Sequence, residues 1–181
     1  MGTIGKKQDL KMLQEENDME GKLNEIYIKI ANTIDETIPE KWDKVFMYGE
    51  ILEDVQKAFF YYYPTGSKEP VYSHDIPEIF DISEDEYDEL WYKLLDNLEA
   101  LWNEFKNNGQ EQWTNLTFVL ESNGRFKMDY DYTDLSDADD VERQSIWKYK
   151  YLGIMPKDEN YRRVVEEYIK NAENETVKKT L

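Results

Sequence analysis

The sequence predicts an α+β fold in which helices pack on an antiparallel sheet within a single domain. Two patterns predict this class. Apolar residues recur at three and four residues in some segments and alternate in others, and these segments follow the order helix, strands, helix, strands, helices. Of the 181 residues, 40% are hydrophobic and 14% aromatic, which is enough for one core. We expect a long central helix on the sheet and further helices at the N- and C-terminal ends.

The first part of the chain predicts a helix over 22–37 and two strands over 44–52 and 55–63. The helix has one apolar stripe and ends near Pro39, because proline disfavours a helical conformation in the residue before it. Both strand segments are rich in aromatic and β-branched side chains, and a two-residue acidic connection separates them. A short extended piece over 71–73 is a third strand candidate.

The long central helix is predicted to begin after Ser83 and to stop at Asn108 and Gly109. Ser83 and Glu86 fit a capping box, in which the serine hydroxyl accepts a free backbone N–H and the glutamate reaches back. An Asn-Gly pair is typical of a helix C-terminus. The apolar face of this helix comprises Tyr87, Leu90, Trp91, Leu94, Leu95, Leu98, Leu101, Trp102 and Phe105.

A β-hairpin follows, and the length of its turn decides which side chains share a face. A two-residue turn at Asn123 and Gly124 would pair Leu120 with a lysine and mix apolar and charged side chains. A three-residue loop over 122–124 keeps the faces separate and places Gly124 in a left-handed conformation. The pairs in this register are Leu120 with Phe126, Phe118 with Met128, Leu116 with Tyr130, and Glu121 with Arg125.

Two C-terminal helices are predicted, over 140–151 with a stop at Gly153 and over 158–171. The inward residues of the second helix are Val164, Val165, Tyr168 and Ile169. The predicted organisation is an N-terminal arm over 1–20, flexible or a helical extension, then one domain over 21–172 and a polar tail over 173–181.

The composition is strongly acidic, with 22 Lys+Arg against 40 Asp+Glu and a net charge of −18. Such a chain repels nucleic acid and anionic membranes and attracts basic partners, although acidity also simply aids solubility. Cysteine is absent, which excludes disulfides, a thiol nucleophile and a cysteine-based zinc site. No signal-peptide segment and no membrane-spanning segment is recognisable, so we expect a cytoplasmic protein.

His74 is the only histidine and lies between Ser73 and Asp75. Three adjacent residues cannot converge on one scissile bond as a catalytic triad must, so a histidine that orders a loop is favoured over a hydrolase site.

The densest carboxylate run loosely resembles a calcium loop. Asp134 stands where that loop needs its turn glycine, and Asp140 stands where it needs its closing glutamate. The simpler interpretation is a solvated strand face that leads into a helix capped by Asp139 or Asp140. No metal site and no cofactor site is predicted. The run comprises Asp129, Asp131, Asp134, Asp137, Asp139 and Asp140.

The only basic-aromatic cluster is 148–150 with Arg143, and an amphipathic helix surface explains it. The chain has no phosphate loop, dinucleotide fingerprint or other catalytic motif. The residues alone leave three classes open: a binding protein, a metal-dependent hydrolase that uses the carboxylates of 129–140 with His74, and a generic acidic adaptor for a basic protein.

Three blocks of the sequence resemble the YezG-like (EsaG-like) immunity protein family. They are NGQEQWTNLT at 108–117, continued through LESNGRF to Tyr132, then ERQSIWKYKYLGIMP at 142–156, and YPTG at 63–66 followed by PVYSHDIP at 70–77. The resemblance extends in matching order over about 23–169. Residues 1–20 take no part in it.

The resemblance implies an antitoxin without enzymatic activity. Such a protein binds and neutralises a cognate nuclease toxin, commonly one exported by the type VII system of Gram-positive bacteria. No direct nucleic-acid or membrane partner is expected. The family supplies no interface positions, so the predicted surface depends on charge. A nuclease carries a basic cleft for phosphate, and complementary charge speeds association. The predicted partner-binding residues are Asp129, Asp131, Asp134 and Asp137, together with Glu84, Asp85 and Asp88.

Overall fold

The computed structural model describes the backbone of residues 3–180 and the side chains of residues 18–179. Its helices are α1 (Thr3–Thr37), α2 (Ile76–Phe80), α3 (Glu84–Asn107), α4 (Asp140–Leu152) and α5 (Glu159–Thr180). Its strands are β1 (Trp42–Leu52), β2 (Val55–Pro64), β3 (Val71–Tyr72), β4 (Asn115–Glu121) and β5 (Phe126–Asp131). The chain divides into two compact units after Thr133.

The first unit contains a five-stranded sheet in the order β3-β2-β1-β4-β5. Every pair of neighbouring strands is antiparallel. The predicted α+β class with an antiparallel sheet is therefore confirmed. β1 lies at the centre, and the edges are β3, which is two residues long, and β5.

Helices α1 and α3 pack against each other and contribute to one core with the sheet. Alternate residues of β1, such as Val45 and Met47, point into this core and are fully buried. Gly49 continues the same row. A Cβ atom there would lie 3.0 Å from Leu98 Cδ1, so the absence of a side chain lets α3 lie close to the sheet.

The central helix α3 begins and ends where the sequence predicts. Ser83 Oγ accepts a hydrogen bond from the backbone N–H of Glu86 at 3.2 Å. The Glu86 carboxylate meets the serine hydroxyl instead of reaching back to the backbone, so the capping box is only half formed. At the other end, Gly109 adopts a φ of +66°.

The terminal helices extend beyond their predicted apolar stripes. Helix α1 begins at Thr3, as in the helical-extension alternative for residues 1–20, and α5 extends to Thr180 instead of ending near 171. The added turns of α5 over 171–179 are exposed, so they carry no apolar stripe by which the sequence would reveal them. The predicted arm and tail fall partly outside the described residues, and the predicted domain limits stay predictions.

The β4–β5 hairpin has the predicted three-residue loop. Leu120 pairs with Phe126, and the N–H of Glu121 donates to the carbonyl of Arg125 at 2.8 Å. Gly124 adopts a φ of +87°, a left-handed conformation that side chains disfavour. The alternation of apolar and charged residues therefore fixes the register as predicted.

The extended piece predicted over 71–73 forms β3, whereas the segment between β3 and α3, for which the sequence predicts no element, is helical. Ser73–Asp75 form a 3₁₀ turn that leads directly into α2, and Asp81 ends α2 with a φ of 51°. Five residues are too few for a recognisable helical period, although a proline in the first turn of α2 suits a helix start.

The second unit consists of helices α4 and α5, which pack against each other. Asp139 caps α4 by accepting the N–H of Glu142 at 2.9 Å, and Gly153 ends it with a φ of 69°. Trp147 of α4 and Val165 of α5 are buried.

Candidate functional site

Two of the predicted binding residues, Asp129 and Asp131, lie on β5. They pair with Thr117 and Asn115, which places them on the sheet face opposite the α1–α3 core. Asp131 is exposed, and its Oδ1 accepts the N–H of Thr133 at 2.7 Å. Asp129 is half-buried, and its Oδ1 lies 3.1 Å from Lys127 Nζ. Asp131 therefore presents its charge more openly than Asp129.

Asp134 and Asp137 belong to the second unit, and both are exposed. Asp134 Oδ1 accepts the N–H of Ser136 at 3.0 Å. Hydrogen bonding to Ser136 lowers the pKa of the Asp134 carboxyl below its ordinary value. Because Asp129 and Asp131 lie in a strand, the calcium-loop conformation is not formed. Among side chains 18–179, no three His, Asp or Glu residues are grouped as metal ligands.

The other predicted acidic residues, Glu84, Asp85 and Asp88, lie in the first turns of α3 and are exposed. Glu84 and Asp88 line one side of an open groove of about 560 Å³. The remaining lining residues are His74, Pro77, Glu78, Ile82 and Tyr87.

His74 contacts the residues that hold the segment before α3 in place. Its Nδ1 lies 2.9 Å from the hydroxyl of Tyr87, and its ring packs edge-to-face with Tyr87 and Trp91. Burial lowers the pKa of His74, against smaller raising effects from the Ala58 carbonyl, Asp75 and Asp88. The Ser73 hydroxyl accepts the N–H of Phe60 at 3.0 Å, so it bonds a main-chain group of the sheet. This geometry fits the loop-ordering interpretation.

The basic-aromatic cluster lies on α4. Lys150 Nζ sits 5.1 Å from the centre of the Tyr151 ring, and Arg143 pairs with Asp140 at 3.1 Å. Lys148 and Tyr149 are half-buried. These contacts fit an amphipathic helix surface, as the sequence predicts.

Sequence reasoning missed the free side of β5, which we call the open edge: the main-chain groups of Phe126, Met128 and Tyr130. The hydrogen bond from Glu121 to Arg125 sets the phase of the ladder, so alternate residues from Phe126 onward direct their N–H and C=O away from β4. No residue in the described backbone or side chains hydrogen-bonds these outward groups. Within the described residues, the open edge is therefore an unpaired edge of the sheet.

A groove of about 660 Å³ lies between α1 and the start of β5, and we call it the α1 groove. Its lining residues are Glu20, Gly21, Leu23, Asn24, Tyr27 and Phe126. Phe126 keeps 42% of its surface exposed although its ring lies 5.4 Å from that of Tyr27. An apolar residue at the start of an edge strand is the signal in the sequence that points to this surface.

The opposite side of the sheet, which we call the capped edge, is β2 beyond the short strand β3. Here the outward N–H of Phe60 donates to Ser73 Oγ at 3.0 Å. The outward carbonyl of Ala58 accepts from Trp91 Nε1 at 3.0 Å. Side chains thus satisfy main-chain groups that a neighbouring strand would otherwise bond.

The structure is that of an acidic α+β protein, and sequence comparison identifies its class and family. A family model described as "Immunity protein YezG-like" matches residues 23–166. The chain therefore belongs to the YezG-like family of immunity proteins, as the resemblance implies. These proteins are not enzymes, so the prediction of no enzymatic activity is confirmed and the hydrolase alternative is set aside.

Individual relatives agree with this assignment. The chain is 44% identical over 154 residues to Immunity protein YezG of Bacillus spizizenii, and the aligned region covers 84% of this chain and 96% of the relative. It is 36% identical over 149 residues to Immunity protein YezG of Bacillus subtilis, covering 81% and 99%. It is also 36% identical over 159 residues to Type VII secretion system protein EsaG of Staphylococcus aureus, covering 85% and 98%. Within the described residues, none of the helices is apolar over a length that would cross a bilayer.

Proposed function

We propose that this protein neutralises a nuclease toxin by binding the basic surface with which the toxin holds nucleic acid. An immunity protein has a cognate toxin as its partner, and the name of the Staphylococcus aureus relative supports a toxin exported by the type VII system. The binding takes place in the cytoplasm of a Gram-positive producer, before the toxin reaches DNA.

The excess of carboxylates is the observation that carries the proposal. Forty Asp and Glu residues against 22 Lys and Arg give the chain a net charge of −18. A nuclease binds the phosphate backbone through Lys and Arg, so the surface that holds its substrate also attracts this chain.

The carboxylates on β5 suit such a surface in spacing as well as in charge. Asp129 and Asp131 lie two residues apart on one face of the strand, a separation of about 6.6–7 Å, which is similar to that of successive phosphates along one nucleic-acid strand. Binding of these carboxylates at phosphate sites would exclude the substrate directly.

A DNA-cleavage assay tests the proposal. The probe is the nuclease domain of a toxin that the producing organism exports by its type VII system, titrated with the purified protein. We expect cleavage to stop near a one-to-one ratio, while an unrelated protein of similar negative charge leaves cleavage intact. Undiminished cleavage at a tenfold excess of the protein would overturn the proposal. Tight binding of a partner that does not cleave nucleic acid would instead favour a generic acidic adaptor.

A further inference from the structure

We infer that the open edge of β5 binds an extended segment of the cognate toxin as an added strand, and that the α1 groove receives an apolar side chain of this segment. The inference rests on the proposed function for the identity of the partner. It adds the place and the mode of contact, which family membership does not supply.

The main chain gives the first argument. Phe126, Met128 and Tyr130 each direct one N–H and one C=O away from β4. A row of unpaired main-chain groups at a sheet edge is a template for another strand. Strand addition satisfies such groups without requiring a particular sequence, and neighbouring pockets then select the side chains.

The α1 groove gives the second argument. In an added strand, the residues opposite Phe126, Met128 and Tyr130 point to the same side as these three side chains, which is the side of α1. The groove lies there, with Leu23, Tyr27 and the exposed part of Phe126 in its lining. Apolar side chains from the added strand fit this side.

Charge on the other side of β5 gives the third argument. Residues of the added strand that lie opposite Asp129 and Asp131 share the face of these carboxylates. Opposite charges in cross-strand positions stabilise a sheet, and like charges destabilise it. The partner segment is therefore an extended stretch in which apolar residues alternate with Lys or Arg.

This chemistry favours a toxin over a second copy of the chain. Two copies would each bring a net charge of −18, so that they repel each other overall. The exposed Lys127 adds a charge of the kind that protects edge strands from self-pairing. A basic segment is instead attracted by the net negative charge of the chain.

Proline substitutions test the contact. Phe126→Pro removes an outward N–H but no hydrogen bond to β4, and proline is tolerated on edge strands in such positions. Phe126→Ala measures the loss of the side chain alone. Gln56→Pro is the matched control, because Gln56 is exposed on β2 in the same phase as Phe60, whose N–H points outward to Ser73. The probe is the toxin domain named above, and thermal unfolding checks that each variant is folded.

We expect Phe126→Pro to raise the Kd for the toxin domain by about tenfold over Phe126→Ala, which corresponds to one lost main-chain hydrogen bond. Gln56→Pro should bind as the parent does. Equal affinities of Phe126→Pro and Phe126→Ala would overturn the inference.

Residue-resolved amide exchange on the unaltered protein tests the same contact if a proline variant does not fold. In the free protein, the amides of Phe126, Met128 and Tyr130 should exchange fast, while those of Lys127 and Asp129, which face β4, are protected. On addition of the toxin domain, the three fast amides should slow by at least about tenfold, and that of Gln56 should not change.

The outcomes separate the two proposals. Failure of the toxin domain to bind or to be inhibited removes the proposed function and the inference with it. Inhibition with unchanged exchange at the open edge removes the inference alone. Protection of the open edge in the free protein together with self-association would make a second copy the occupant and would also overturn it.

Discussion

The two sides of the sheet treat their outward main-chain groups in opposite ways. At the capped edge, Ser73 and Trp91 bond the N–H of Phe60 and the carbonyl of Ala58, each at 3.0 Å. At the open edge, the part of the chain that the structure describes supplies no partner to Phe126, Met128 or Tyr130. Both are edges of one sheet, so sheet formation alone does not explain the difference.

The unsatisfied edge of this sheet is therefore β5. Exposed edges invite aggregation, and proteins usually cover or disrupt them. Here one edge is closed by side chains from the segment after β3 and from α3. The other edge, β5, has the charged side chains of Lys127 and Asp129 on it and the α1 groove next to it. This arrangement is expected of an edge that serves as a binding surface.

The largest effect on stability is expected from removal of a cap. Ser73 is 1% exposed, so Ser73→Ala leaves the N–H of Phe60 buried without its acceptor. We expect a loss of about 1–3 kcal/mol in the free energy of unfolding, measured by urea denaturation. Lys127→Ala at the open edge is the control and should change stability by less than about 0.5 kcal/mol. Equal effects of the two substitutions would mean that the edges do not differ.

A slightly smaller effect is expected at the turn that positions the open edge. Gly124 has a φ of +87°, so Gly124→Val places a β-branched residue in the left-handed region. The free energy of unfolding should fall by about 1–2 kcal/mol. Open space surrounds Gly124, so the loss would come from backbone strain and not from a clash. An unchanged denaturation midpoint would contradict the assigned turn.

Replacement of the second cap should cost less. Trp91→Phe keeps an aromatic ring but removes the Nε1–H that the Ala58 carbonyl accepts. We expect a loss of about 1 kcal/mol in thermal or chemical denaturation, because carbonyls tolerate a missing partner better than N–H groups do. Tyr92→Phe, on the exposed neighbouring residue, serves as control and should be neutral. A Trp91→Phe protein as stable as the parent would show that this cap does not stabilise the edge.

The smallest effect concerns pH at the capped edge. Burial lowers the pKa of His74 below its ordinary value of 6.5, so near that pH the unfolded chain binds more protons than the folded one. The stability linked to His74 is therefore present above about pH 6.5 and is lost as the pH falls through the lower folded-state pKa. His74→Gln should reduce the difference in unfolding free energy between pH 7.5 and pH 5.5. The effect is small because the ring is partly exposed. Identical pH profiles would contradict it.

Local patterns predict the elements of the sheet well. The hairpin register follows from strict alternation and a glycine at the turn, and α3 follows from its cap and a continuous apolar stripe. The extension of α5 was not predicted, because the stripe that identifies a helix fades before the helix ends. The five-residue helix α2 is too short to have a period.

The open edge was not predictable because it depends on strand order. Chain order does not reveal that β4 adds beside β1, opposite β2, and leaves β5 outermost. The acidic residues were predicted from charge alone, and the structure gives them unequal settings. Asp131 is exposed, whereas Asp129 is half-buried beside Lys127, and local sequence does not determine such burial.

The rate of toxin binding to two charge variants most directly tests whether the acidic residues of 129–137 form the recognition surface. One replaces Asp129, Asp131, Asp134 and Asp137 with Asn, which keeps the acceptor oxygens that Thr133 and Ser136 use. The other removes the same charge from α3 by Glu84→Gln, Asp85→Asn, Asp88→Asn and Glu89→Gln. Association with the toxin domain is followed by stopped flow at two salt concentrations. We expect the first variant to associate about tenfold more slowly with a flatter salt dependence, and the second to stay near the parent. Parental rates for the first variant and slowing of the second would contradict the claim and assign the recognition surface to α3.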